Sequence, residues 1–204
     1  MAGKFIIAEG MDFAGKTLAL SKLKELYGSD DNVVFTREPG GLNNAVAEDI
    51  RELIFKNNMD PLTEAYLFAS SRAEHTKKIK DLLDQGKTVI CDRFLYSSLY
   101  YQGVMKGIGH KKVFNLNKEA LNGVEPNIIF FFTVSEEEKK RRMQVRNEVN
   151  RLDKDSEKVN LLEANLNYLN MIHTYKPRKA KVEIIDTTNI TAEEAASKML
   201  DIII

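Results

Sequence analysis

Near its N-terminus the chain reads Phe5-Ile6-Ile7-Ala8-Glu9-Gly10-Met11-Asp12-Phe13-Ala14-Gly15-Lys16-Thr17-Leu18. This stretch opens on a short apolar, partly β-branched run that reads as a strand. Gly10 to Thr17 then match G-x-x-x-x-G-K-[ST], and helical spacing follows. The glycines let backbone N–H groups turn inward on a phosphate, while the new helix turns its positive dipole end to the same place. Lys16 adds a point charge between phosphates, and Thr17 offers a hydroxyl to Mg²⁺. The stretch therefore predicts a nucleoside triphosphate site built from Gly10, Met11, Asp12, Phe13, Ala14, Gly15, Lys16, Thr17 and Leu18.

Similar apolar runs recur at Val33-Val34-Phe35, Thr88-Val89-Ile90, Ile128 to Phe132 and Val182 to Ile185. Most are apolar on successive residues, which suits strands covered on both faces, as in a parallel sheet. Helical segments lie between them. Leu20, Leu23, Leu26 and Tyr27 share one face, as do Ile50, Leu53 and Ile54, with charged residues opposite. Pro61 opens a long helix that Gly86 closes. Thr191-x-x-Glu194 reads as a capping box for a last helix with Ala195, Met199, Leu200 and Ile203 inward, and Ser135-x-x-Glu138 reads as a second box. The alternation predicts an α/β fold with a five-stranded parallel sheet flanked by helices. Residues from about Arg146 to Glu157 lack an apolar period and read as a mobile loop.

A chain of 204 residues, 43% hydrophobic, is expected to form one domain over 1–204 with a core that needs no disulfide or metal. Thirty basic residues balance thirty acidic ones, so no global field draws nucleic acid or anionic lipid, and no such partner is expected. Cys91 stands alone, which fits a reducing compartment. The N-terminal apolar run is too short for an export signal, and no run approaches the ~20 residues of a spanning helix. A cytoplasmic protein is expected. His75, His110 and His173 lack zinc-ligand spacing and read as solvent-facing or packing residues.

A triphosphate site leaves two classes open: a phosphotransferase, or a nucleotide-driven switch acting on a protein partner. A switch of the GTPase kind needs D-x-x-G and N-K-x-D; Asn117-Lys118-Glu119-Ala120 lacks the aspartate. Arginines at Arg37, Arg51, Arg72, Arg93, Arg142, Arg146 and Arg151 suit a second phosphate-bearing substrate beside the triphosphate.

Beyond the glycine loop stand Thr36-Arg37-Glu38-Pro39-Gly40-Gly41, then Leu67-Phe68-Ala69-Ser70-Ser71-Arg72-Ala73-Glu74-His75, then Asp92-Arg93 with Ser97-Ser98 and Tyr101-Gln102-Gly103. With these segments the chain resembles the thymidylate kinase family along nearly its whole length. The resemblance implies a P-loop kinase fold, transfer of the ATP γ-phosphoryl group to dTMP with Mg²⁺, and a homodimer. It implies that Phe68 lies against thymine and Arg72 donates to its O4; a spacing of four puts both on one helix side. It puts Arg93 and Arg51 on the dTMP phosphate with Arg37 nearby, Glu38 and Pro39 in the same site, and Asp12 near the sugar hydroxyl and phosphate. It has Ser98 and Gln102 read the remaining base edge and packs Tyr101 on the sugar; Ser97 and Ser98 are the weaker pair, since small side chains at a strand-to-helix turn are also common caps. Asp92, at the end of the third strand, holds Mg²⁺ through water, orients Arg93, or serves as a structural carboxylate.

The run Glu136 to Arg142 pairs opposite charges four apart and reads mostly as a solvated helix face. Arg142, Arg146, Glu148 and Arg151-Leu152-Asp153 resemble the lid of the bacterial type of this family, over about 142–157, in which lid arginines are catalytic. In the other type the arginine sits in the phosphate loop, where this chain has Phe13 and Ala14. The implied catalytic set is Lys16, Asp12, Arg93, Arg146 and Arg151. Adenine is implied to lie against Arg142 and the Asp186-Thr187-Thr188-Asn189 loop. Tyr96 and Tyr100 stand where many relatives carry Asp and Ala, and are expected to reshape the pocket rim; Leu18 stands where a second threonine is frequent.

Overall fold

The computed structural model describes residues 3–145 and 160–204. Five strands, β1 (Phe5–Gly10), β2 (Val33–Arg37), β3 (Thr88–Asp92), β4 (Ile128–Thr133) and β5 (Lys181–Asp186), form one sheet in the order β2-β3-β1-β4-β5. Every neighbouring pair is parallel, with Phe5 beside Val89 and Ile6 beside Ile128. β1 lies at the centre, and all six of its residues are buried. The successive apolar residues of β1, β3 and β4 meet the demand of two covered faces. The edge strands do not: β2 is half-buried and Ile184 of β5 is exposed, because an edge strand has a neighbour on one side only.

Helices α1 (Lys16–Tyr27), α2 (Ala45–Lys56) and α3 (Pro61–Asp84) lie among the first three strands. Helix α4 (Leu95–Ser98) runs on as a π-helix, Leu99–Met105, and α5 is His110–Asn117. Then come α6 (Glu136–Val145), α7 (Leu161–Tyr175) and α8 (Ala192–Ile203). α1 packs with α8, while α3 packs with α2, α5 and the π-helix. Pro61 does open α3, behind an Asp60 cap whose carboxylate accepts from Leu62 N–H.

The expected helix faces need correction. In α1 the buried stripe is Ala19, Leu20 and Leu23, and Leu26 in the last turn is 53% exposed. In α2 the buried residues are Ala47 and Ile54, seven apart; at about 100° per residue Leu53 falls off that stripe and is 47% exposed. Tyr96 and Tyr100 do not reach the pocket rim. Both are buried in the core, where Tyr100 stacks on Tyr168 with ring centroids 4.9 Å apart. Lys139, in the run read as a solvated face, is also buried, although Glu136 pairs with Lys140 at 2.9 Å as its spacing predicts.

The two capping boxes differ. Thr191 accepts from Glu194 N–H at 3.1 Å, and the Glu194 carboxylate accepts from Thr191 N–H at 2.7 Å, so that box is complete. At Ser135 only half forms: its hydroxyl accepts from Glu138 N–H at 3.2 Å, but the Glu138 carboxylate turns to Arg141 and Arg142. Charge-assisted bonds to two guanidiniums outweigh a neutral backbone donor. Thr191→Ala is expected to lower unfolding free energy by about 1 kcal/mol, measured by urea unfolding, since it removes one partner of a reciprocal cap.

Candidate active site

The cleft opens over the carboxyl ends of the strands, where open parallel sheets bind ligands. It encloses about 1600 Å³. One end is the loop between β1 and α1. Gly10, at φ 134°, is required there because a Cβ would lie 2.4 Å from the Phe132 carbonyl oxygen of β4. Gly15 at φ 83° precedes α1, leaving the first N–H groups of the helix turned to the loop. Lys16 folds back: its Nζ donates to the carbonyls of Gly10 and Met11, both at 2.9 Å.

Asp12, Phe13, Gly15, Lys16, Thr17 and Leu18 line the cleft. Met11 and Ala14 do not line it; their side chains are buried in the hydrophobic core. Thr17 donates from Oγ1 to Asp92 Oδ2 at 3.1 Å, while the buried Asp92 Oδ1 has no hydrogen-bond partner among the described residues.

Arg93 follows β3 in a left-handed backbone conformation, φ 66°, uncommon for a residue with a side chain. Its guanidinium donates to Asp12, to Ser97 Oγ at 3.0 Å and to the Gly10 carbonyl at 3.2 Å. Of the roles open to Asp92, orienting Arg93 is not the one its hydrogen bond serves: Asp12 and Ser97 hold the guanidinium, and Asp92 faces Thr17. Asp12 also accepts from Tyr101 O–H at 3.0 Å. Burial acts to raise its pKa, but the Arg93 and Lys16 charges prevail and hold the carboxyl below the usual range.

Two further cations border this region. Arg37 is clamped on Glu48 by two bonds of 2.9 and 3.1 Å. Arg51 donates to the Pro39 carbonyl at 3.0 Å and lies over the Phe55 ring at 4.5 Å. Burial, and then the Arg37 charge, lower the pKa of Arg51.

The far end is built by α3, α4 and the π-helix. Phe68 is half-buried and presents its ring to the cleft, not to the core. Arg72, 1% exposed, lines the same wall and is held by Glu38 at 2.8 Å, Ser98 at 3.1 Å and Asn117. His75 is neither solvent-facing nor merely packed: its Nδ1 lies 3.1 Å from Glu38 and its Nε2 2.7 Å from Thr36 Oγ1. Ser97, Ser98, Tyr101 and Gln102 all line the cleft. Glu38 and Pro39 meet it too.

Arg142 lies in α6 and bridges to the phosphate loop. It donates to the Phe13 carbonyl at 3.1 Å and to Thr187 at 3.0 and 2.8 Å, so the Thr187-Thr188-Asn189 loop borders the same cleft. Arg146, Arg151 and the rest of the lid from 146 to 157 lie outside the described residues; of the lid read at 142–157, residues 142–145 are helical.

Several participants escaped the sequence reading. Glu9 is buried behind the phosphate loop and accepts from Phe94 N–H, Ser97 O–H at 2.8 Å and Tyr168 O–H at 2.7 Å. Burial pushes its pKa up despite those donors. Glu48, Glu64, Asn117 and Tyr168 hold other site residues in place. The one available signal was a carboxylate inside an apolar strand at Glu9, costly unless partnered.

Fold and cleft together define a P-loop nucleotide-binding protein in which a phosphate cradle faces a second, arginine-lined pocket. The family model for thymidylate kinase matches residues 8–198. The thymidylate kinase of Mycoplasma genitalium is 43% identical over 155 residues, 74% of this chain and 73% of its own length. That of Limosilactobacillus reuteri is 37% identical over 198 residues, 92% of this chain and 90% of its own. The solved thymidylate kinase of Ehrlichia chaffeensis superposes with a TM-score of 0.70 at 30% identity, covering 100% of this chain and 99% of that one. The chain belongs to the thymidylate kinase family.

Burial, and then the Arg93 charge, push the Lys16 pKa down to about 8. An anion in the cradle favours the ammonium form and raises that pKa in the complex. Above pH 8 or so, triphosphate binding must therefore take up a proton, and affinity is expected to fall about tenfold per pH unit. Titration calorimetry in buffers of different ionisation enthalpy reads that uptake; affinity that stays flat as pH rises through this window removes Lys16 from the charge balance.

Proposed function

We propose that this chain transfers the γ-phosphoryl group of ATP to dTMP, giving ADP and dTDP, as a single P-loop kinase domain with a lid over about 142–157. The observation that carries the reading is the pairing, in one cleft, of the Lys16 cradle with a separate wall where the Phe68 ring and the Arg72 guanidinium stand together. Thymine is a flat ring with polar edges; Phe68 offers it a face, Arg72 a donor to O4, and Ser98 and Gln102 polar groups for the remaining edge. Tyr101 packs on the sugar. Arg93, Arg51 and Arg37 receive the monophosphate, whose near-double charge suits forked donors. Glu38 and Pro39 support this site. Asp12, locked on Arg93, positions that guanidinium beside the acceptor.

The acceptor oxygen of dTMP is already anionic, so no general base is required. What the residues supply is alignment and neutralisation of charge on the moving phosphoryl group. The bond between the γ-phosphorus and its bridging oxygen breaks as the dTMP phosphate oxygen attaches in line. Lys16 spans the donor phosphates, and Arg142 with the loop after β5 borders the adenine. Thr17 and Asp92 fit Mg²⁺, because a hydroxyl and a buried carboxylate oxygen with no described partner form a hard-cation donor set. When bound, the ion offsets negative charge on the donor phosphates.

A homodimer belongs to the same reading and is supported by the exposed apolar side chains Val46 and Leu53 on α2 and Tyr66 on α3, two helices that pack against each other. Cytoplasmic placement is supported by a buried free thiol at Cys91. No helix among the described residues is long and apolar enough to cross a membrane.

Incubating the protein with MgATP and, separately, dTMP, dUMP, dCMP, dGMP and AMP tests the reading. ADP release is expected to be fastest with dTMP and barely detectable with ATP alone; equal release without an acceptor would make the chain an ATPase. Arg146 and Arg151 are proposed to meet charge on the transferred group from the lid. Arg151→Ala, and to a similar or lesser degree Arg146→Ala, should lower kcat by about 10²-fold or more with modest change in either KM. Melting should move by only a few degrees. Full kcat in both variants would send the search for the catalytic cation to Arg37 or to a partner subunit.

A further inference from the structure

Gln102 and Glu64 meet at the base end of the cleft, and their chemistry is directional. Gln102 lines the cleft from the π-helix and is 2% exposed. Its amide Nε2 donates to Glu64 Oε1 at 2.9 Å. Its amide Oε1 is buried with no hydrogen-bond partner among the described residues. Glu64, on the first turn of α3, has no exposed surface and takes no part in lining the cleft. The Lys106 ammonium, one turn beyond Gln102, lies 2.8 Å from its carboxylate and supplies the counter-charge that a buried carboxylate needs.

An ionised carboxylate only accepts hydrogen bonds. Of the two ends of the Gln102 amide, the NH₂ end alone can therefore face Glu64, and the carbonyl end is left on the other side. An unpartnered buried acceptor is costly, and its cost is offset when a ligand donor reaches it. Thymine presents one such donor, N3–H, between its two carbonyls. Cytosine presents an unprotonated N3, an acceptor, at the same place.

We propose that Glu64 is a specificity-determining positioning residue: with Lys106 it locks the Gln102 amide so that Oε1 faces the base as a fixed acceptor, selecting pyrimidines that carry N3–H over those that do not. The inference rests on the base-reading role given to Gln102 above. Glu64 touches no substrate atom; it acts through Gln102. A glutamine free to rotate would offer its NH₂ end to cytosine and its carbonyl to thymine with little preference. A site built around one fixed polar group rejects the mismatched ligand by leaving buried groups unpaired.

The test is a double-mutant cycle with steady-state kinetics on dTMP and dCMP. Glu64→Gln keeps shape but can accept from or donate to the Gln102 amide, so the lock is lost. The ratio of kcat/KM for dTMP over dCMP is expected to fall about tenfold or more, the scale of one directed hydrogen bond. The change should lie in KM for dTMP, with kcat and KM for ATP nearly unchanged. Gln102→Leu should also reduce discrimination, and the double variant should be no worse than Gln102→Leu alone, because the two residues act as one unit. If Gln102→Leu leaves discrimination intact, the base-reading role fails and the proposal falls with it. If Gln102→Leu matters but Glu64→Gln does not, or if their effects add, base reading stands and the Glu64 lock is overturned. Should Glu64→Gln not fold, Glu64→Asp carries the test: its carboxylate falls short of Gln102 by one methylene, and the same loss of discrimination is expected.

Discussion

Four separate regions of the chain are tied to the backbone carbonyls of one loop. The Gly10 and Met11 carbonyls accept from Lys16, that of Gly10 also accepts from Arg93, that of Phe13 from Arg142, and that of Ala14 from Thr187. The N–H groups of the phosphate loop turn inward to face phosphate, which leaves several of its carbonyls open to donors from other segments. Those orphan acceptors are satisfied by α1, the segment after β3, α6 and the loop after β5. The constraint that makes the loop an anion site therefore also decides which elements gather around it. Three of the donors are cations, so satisfying the carbonyls surrounds the cradle with positive charge.

A cleft this rich in buried charge is stable only because each ion meets another group of fitting chemistry. Glu38 is shared between Arg72 and His75, Glu64 between Lys106 and Gln102, and Asp12 between Arg93 and Tyr101. Burying such pairs recovers little net stability, but breaking one strands a charge. Arg72 illustrates the consequence. Beyond its proposed contact with thymine, it neutralises the buried Glu38, so truncating it also leaves a carboxylate uncompensated. On the proposed role, binding and folding are linked at that residue, whereas Gln102 is neutral and has an acceptor to spare.

The tyrosines connect the cleft to the core. Tyr168 of α7 hydrogen-bonds Glu9 and Ser97 while its ring stacks on Tyr100 and meets Tyr101 edge-on. α7 thereby joins the Arg93–Asp12 pair through Ser97. Tyr100 is buried there because the space beside Tyr168 is apolar and aromatic rings fill it well.

The five strands, the phosphate loop, the Pro61 start and the Thr191 cap were legible in the amino-acid sequence, because each depends on neighbours within a few residues. Apolar runs, glycines that permit positive φ and hydroxyl caps act locally, so their chemistry survives without knowing the fold. Segments of the resemblance likewise carried Phe68, Arg72, Arg93 and Gln102 into one site. Tertiary structure alone decided their partners. Glu9 meets Tyr168 across 159 residues, Arg72 meets Asn117 across 45, and Gln102 meets Glu64 across 38. It also turned Glu138 away from its capping role, buried Tyr96 and Tyr100, and left Leu26 and Leu53 exposed. Periodicity shows which side of a helix is apolar, but not how far a neighbouring element extends to cover it. Nor does a carboxylate's place in the chain reveal which cation will share its burial; that is fixed when the sheet brings distant segments to one edge and desolvation makes every unpaired ion costly.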